Sequence, residues 1–120
     1  MSASQRRKGA VGEREAAAAL SCAGLSVTRQ ARNGVDQGCD LAGKGIVVEV
    51  KRRAGSLLMD TWMRQALDSK VDSDDIAIVA CRSDRGEWLL CIRAQDFGRA
   101  ARLRDEHRCM QTLDAIHAQT

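Results

Sequence analysis

A chain of 120 residues, 44% hydrophobic and 29% charged, has the size of one ordinary globular domain, 1–120, and is too short for two cores. No apolar run approaches the roughly 20 residues of a membrane span, and the basic start MSASQRRK leads into no signal-peptide core, so a cytoplasmic protein without membrane contact is expected. The net charge of +3 is uneven: residues 1–58 carry ten Lys or Arg against five acids, residues 59–120 nine against eleven, and fifteen of the nineteen bases are arginine. Arginine's planar fork suits phosphate, so this balance allows a polyanionic partner, although +3 alone does not demand one.

In chain order, GAVGEREAAAALSCAG is rich in helix formers and closes on Gly24, which predicts a helix over 9–23. LSVTRQA alternates and carries β-branched residues, a strand over 25–31, and RNGVDQG is a glycine-rich turn. A short strand over 39–42 meets GKG and then IVVEVKRR, a strand over 46–52, so the two form a hairpin. SLLMDTWMRQALDSKV has helical spacing at Leu58, Trp62, Gln65 and Ala66. IAIVACR and EWLLCIR, joined by SDRG, read as a second hairpin of core strands. AQDFGRAARLRDEH reads as a surface helix with an arginine face, whose Arg99, Arg102, Arg104 and Arg108 are better placed in solvent than on a ligand, and the last dozen residues carry no clear order. The expectation is αβββαββα: an α/β domain with a central mixed β-sheet flanked by helices.

The third strand raises a question of chemistry. Ile46, Val48 and Val50 point to one side, so Glu49 and Lys51 share the other with Val47. Asp68 and Lys70 have the same spacing, but on a helix residues two apart diverge. A second acid can join the strand pair across the hairpin. A two-residue turn at Lys44–Gly45 sets Asp40 opposite Glu49, and one at Gly43–Lys44 sets it opposite Val47. Both registers put Asp40 on the Glu49 face, whereas a three-residue turn without a bulge would flip it away.

Lys51 neutralising two acids in a cross-strand network is the bland alternative. A further acid bears on the choice: Glu13 falls in line with Ala10, Ala17 and Leu20 on the helix stripe that packs on the sheet, where a carboxylate needs a partner. Glu15 can be argued the same way from Val11, Ala18 and Cys22, and spacing does not choose between them. The five cysteines form an odd set with no C-x-x-C pair and no nearby histidine, so neither a zinc site nor a disulfide framework is supported; buried free thiols are expected.

G-x-x-x-E on the first helix, Asp on the second strand and E-x-K on the third resemble the PD-(D/E)XK nuclease superfamily, with Cys39 where the name has proline. Within it, RKGAVGERE followed by CDLAGKGIVVEVKRR is similar to archaeal-type Holliday junction resolvases and their small phage relatives, over roughly residues 6 to 93. The resemblance implies a restriction-endonuclease-like αβββαβ core, a homodimer with paired active sites, and Glu13, Asp40, Glu49 and Lys51 as the catalytic set, favouring Glu13 over Glu15. WMRQA resembles a helical glutamine motif of phage members, which adds Gln65 as a supporting residue. Asp36 in the loop is either an outer-shell acid or, more simply, a turn former.

Chemically, Asp40 and Glu49 with the Val50 carbonyl are hard oxygen donors suited to Mg²⁺ or Mn²⁺, and Glu13 would complete the shell. Lys51 would orient the attacking water or stabilise transition-state charge. Arg6, Arg7, Lys8, Arg29, Arg32, Arg52 and Arg53 could line one DNA phosphate track. With only Trp62, Trp88 and Phe97 as aromatics, single-strand stacking is poorly provided for, and recognition of DNA by shape is the expectation; that the DNA is branched or four-way is what the resemblance implies. The alternatives are a nuclease of the same fold acting on other DNA, phage or restriction-associated, and a non-catalytic DNA-binding module.

Overall fold

The computed structural model describes residues 3–30, 38–54 and 57–118, with side chains from residue 9 onward. Its sheet has five strands in the order β1-β2-β3-β4-β5: β1 Thr28–Arg29, β2 Leu41–Gly43, β3 Ile46–Arg53, β4 Ile76–Ser83 and β5 Leu89–Cys91. All neighbours are antiparallel except β3 and β4, which run parallel. A parallel pair needs a crossover, and α2, Met59–Asp68, supplies it. The sheet is therefore mixed, and α1 (Ala3–Cys22) and α3 (Phe97–Ala118, entered through a 3₁₀ turn at Ala94–Asp96) complete an α/β domain in the element order expected.

The core has two layers because β3 and β4 alternate into both. Leu41, Ile46, Val48, Ile76, Ile78 and Ala80 meet Ala16 and Leu20 of α1 and Ala100 of α3. Val47, Ala77, Val79 and Cys81 meet Trp62 and Ala66 of α2. Covered on both sides, β4 is buried without interruption from Ile76 to Cys81, which is why its sequence shows no polar alternation. β5, at the edge, is only half-buried, and its strand is shorter than the apolar run predicts.

α1 packs through Gly12, Ala16 and Leu20, one residue round the helix from the predicted stripe. In a helix this rich in alanine the smooth side is set by what the sheet presents, and here Arg52 lies under Gly12, where an added Cβ would come within 3.0 Å of its Cδ. The helix ends in a Schellman motif: Leu25 N–H donates to Leu20 O at 2.8 Å, Gly24 N–H to Ser21 O at 3.0 Å, and Gly24 takes φ +92°. Buried Leu20 and Leu25 make the apolar contact that usually accompanies this cap. Of the strand predicted over 25–31, the described residues form Thr28–Arg29, and α3 runs on to Ala118, into the stretch expected to lack order.

Candidate active site

The hairpin turn is the two-residue Lys44–Gly45, with Gly43 paired to Ile46, Ala42 to Val47 and Leu41 to Val48. Gly45, at φ +75°, occupies the left-handed region that glycine tolerates at no steric cost. Continued one step, this register would set Asp40 opposite Glu49. The ladder instead changes at Asp40, whose N–H donates to Val48 O at 3.0 Å although Val48 is already the partner of Leu41. Two residues of one strand thus address one of the other, and the ladder gains an extra residue as at a β-bulge. The Asp40 carboxylate accepts from the backbone N–H of Val50 at 2.9 Å, between Glu49 and Lys51 in the chain.

Glu49 and Lys51 share the α2 side of β3, as alternation requires, next to Val79 and Cys81 of β4. Lys51 Nζ stands 3.9 Å from Glu49 Oε2; the carboxylate is buried and the ammonium half-buried. Asp40 is buried as well, 5% exposed. Cys39 packs in the same layer, with Val47 and Trp62, as a buried free thiol next to Asp40. Burial pushes its thiol above the ordinary value, and the Glu49 and Asp75 carboxylates push the same way. Cys39 therefore stays a neutral thiol against the acid; the only sequence signal for it was its place beside Asp40.

The other expected residues are not gathered here. Glu13 stands on α1, and its Oε2 accepts from Arg29 Nε at 2.6 Å; Glu15 pairs with Arg82 at 2.8 Å. The two acids that spacing could not separate are thus both engaged by arginines of the sheet. Among the described residues no three acidic, histidine or cysteine side chains form a group able to hold a metal ion. Gln65 lies beside the packed Trp62 and Ala66 of α2 and is exposed.

The phosphate track is divided by the same alternation. Lys51 takes the α2 side, Arg52 the α1 side under Gly12, and Arg53 is exposed at the strand end. Arg52 Nε is buried and has no hydrogen-bond partner among the described residues. Arg32 and Asp36 lie outside the described residues, as do the side chains of Arg6, Arg7 and Lys8, whose backbone belongs to α1.

Two carboxylates and a nearby carbonyl are an all-oxygen donor set, and a hard divalent ion that keeps several waters is commonly held by one or two carboxylates. The residues fit such an ion at that level, without Glu13. No helix among the described residues is long and apolar enough to cross a membrane. Set beside known protein families, curated proteins and solved structures, the chain matches none.

Proposed function

We propose that the protein is a Mg²⁺- or Mn²⁺-dependent endodeoxyribonuclease of the PD-(D/E)XK kind, with a restriction-endonuclease-like core, acting on branched DNA as a homodimer in the cytoplasm. The observation that carries this is the pairing of Glu49 with Lys51 on one side of a buried strand, with the Asp40 carboxylate at the amide between them. An acid and a base beside an apolar layer are costly as mere structure, and they are the groups that phosphodiester hydrolysis needs.

Asp40 and Glu49 would hold the ion, with the Val50 carbonyl as a third oxygen. Such an ion would supply charge neutralisation at the phosphate and a more acidic water. Lys51, with its ammonium kept near the strand by Glu49, places positive charge where the phosphorane becomes more negative. Val50 N–H fixes the Asp40 carboxylate by using one oxygen, so the acid is oriented before any ligand arrives. Of the phosphate track, Arg53 and Arg29 are the described bases exposed enough to meet a phosphate, and Arg29 reaching one would release Glu13 toward the site.

A second reading, a DNA-binding module of the same fold without cleavage, is favoured by one observation: Glu13 is held by Arg29, and among the described residues no three acidic, histidine or cysteine side chains are grouped. Incubation with a four-way junction, linear duplex and single strands, with Mg²⁺ or chelator and beside Lys51→Ala, decides between them. Symmetric nicks on the junction that need Mg²⁺ and Lys51 support the nuclease. Nicks on duplex ends instead point to another DNA substrate, and binding without cleavage in either metal selects the module.

A further inference from the structure

α3 is attached to the domain by little surface. Its buried residues are Ala100 and His107, Leu103 is half-buried, and every described residue from Arg108 onward is exposed. Yet His107 is only 2% exposed, and both ring nitrogens are used: Nδ1 lies 2.9 Å from Ser26 N and Nε2 2.9 Å from Lys44 O. A backbone N–H can only donate and a carbonyl can only accept. Nδ1 must therefore be a bare acceptor and Nε2 must carry the hydrogen, which is the neutral imidazole in one tautomer.

From this we infer that His107 is a proton-sensitive latch that fastens α3 to the β2–β3 turn and to the residue entering β1. A proton on Nδ1 would set two donors against each other at Ser26, in a buried position where neither can turn to water. The charged groups around the ring show where it would go. Lys44 contributes its carbonyl to the ring, while its ammonium is 3.7 Å from Glu106. Arg104, three residues before His107 on α3, opposes a new cation there, and with Arg108 it lies against Gly24 at the C-terminal end of α1. Ser26, Lys44, His107, Met110, Gln111 and Asp114 line a cavity of about 130 Å³, so Asp114 offers a protonated ring an acceptor on the outer side. Gln111, which lines the same cavity, donates to the Ser26 hydroxyl. Protonation thus draws the ring from Ser26 toward Asp114 and unfastens the helix beyond Leu103. The latch is independent of DNA cleavage, since it needs no ligand.

Amide hydrogen exchange of the full chain at about pH 7.5 and about pH 5.5 tests it after correction for intrinsic exchange rates. In the wild type, protection of the Ser26 amide and of α3 beyond Leu103 should fall about tenfold or more on acidification, the equivalent of one hydrogen bond lost. His107→Gln keeps an acceptor and a donor at similar separation but does not titrate, so its protection should not respond to pH; His117→Gln should behave as the wild type. Protection in the wild type that is unchanged by acid, or a His107→Gln protein that loses it equally, overturns the latch. Should His107→Gln not fold, ¹⁵N shifts of the wild-type ring decide alone: a bare Nδ1 at neutral pH that gains a proton as α3 protection is lost supports the latch, and any other pattern refutes it.

Discussion

At Asp40 one carboxylate serves the backbone before it can serve a ligand. Its Oδ2 accepts from Val50 N–H where the ladder changes, so Asp40→Ala leaves a part-buried donor unsatisfied and should cost about 1–3 kcal/mol in denaturant unfolding. Asp40→Asn keeps an acceptor oxygen and should cost much less, and under the proposed nuclease reading both variants should lose affinity for Mn²⁺ by calorimetry. A loss of stability in the asparagine variant as large as in the alanine one would remove the backbone role. The thiols give a second prediction at this scale. Burial raises Cys39 and Cys81 above their ordinary value, so the folded chain keeps protons that the unfolded chain gives up. Their contribution is therefore complete below about pH 8.5 and declines as pH rises through the ordinary thiol range and on to the raised values. Melting temperatures taken from about pH 7 to about pH 10 should show that decline, and Cys81→Ala should flatten it. Under native conditions a thiol reagent should reach Cys22 and Cys109 and spare Cys39 and Cys81.

Among the elements, the β2–β3 turn joins most of the molecule's constraints. Gly45 is fixed by its positive φ, by Leu103, whose Cδ atoms an added Cβ would approach to 3.1 Å, and by Ile76 N–H, which donates to Gly45 O at 2.8 Å. Gly45→Ala should accordingly destabilise by about 1–2 kcal/mol from backbone strain alone, more if Leu103 cannot yield. Lys44→Ala, at the adjacent and exposed position, keeps the carbonyl that meets His107 and should change little. Chemical denaturation of the two variants side by side checks the contrast. α2 is a simpler case: it reaches the sheet through Trp62 and Ala66, so Trp62→Ala should remove about 3–5 kcal/mol and expose the layer that contains Glu49.

For the whole molecule, the uneven charge becomes a statement about surfaces. Alternation along β3 sends neighbouring bases to different sides, and Arg52 is turned inward against α1. Under the proposed DNA reading, Arg53→Ala should lower the slope of log affinity against log salt by about 0.9, the value for one phosphate contact. Arg52→Ala should leave that slope unchanged and reduce stability instead. Fluorescence titrations with a labelled junction over a range of salt measure both, and a slope that drops for Arg52→Ala would put that side chain on the nucleic acid.

What the sequence determined is the order of elements, the hairpin at GKG and the shared side of Glu49 and Lys51. Each follows from a local rule: helix formers with a glycine stop, a two-residue turn, and the twofold alternation of a strand. The tertiary structure alone decided the rest. An alanine-rich helix has no marked face, so the side of α1 that packs depended on Arg52 beneath Gly12, and that rotation left Glu13 with Arg29. The position of Asp40 was settled by one backbone hydrogen bond to Val48, which no side-chain pattern encodes. His107 gave no periodic signal, because its partners are a backbone amide and a carbonyl more than sixty residues away in the chain. Short-range geometry is written in residue types, whereas contacts between distant segments depend on which surfaces meet when the sheet and helices close around a common core.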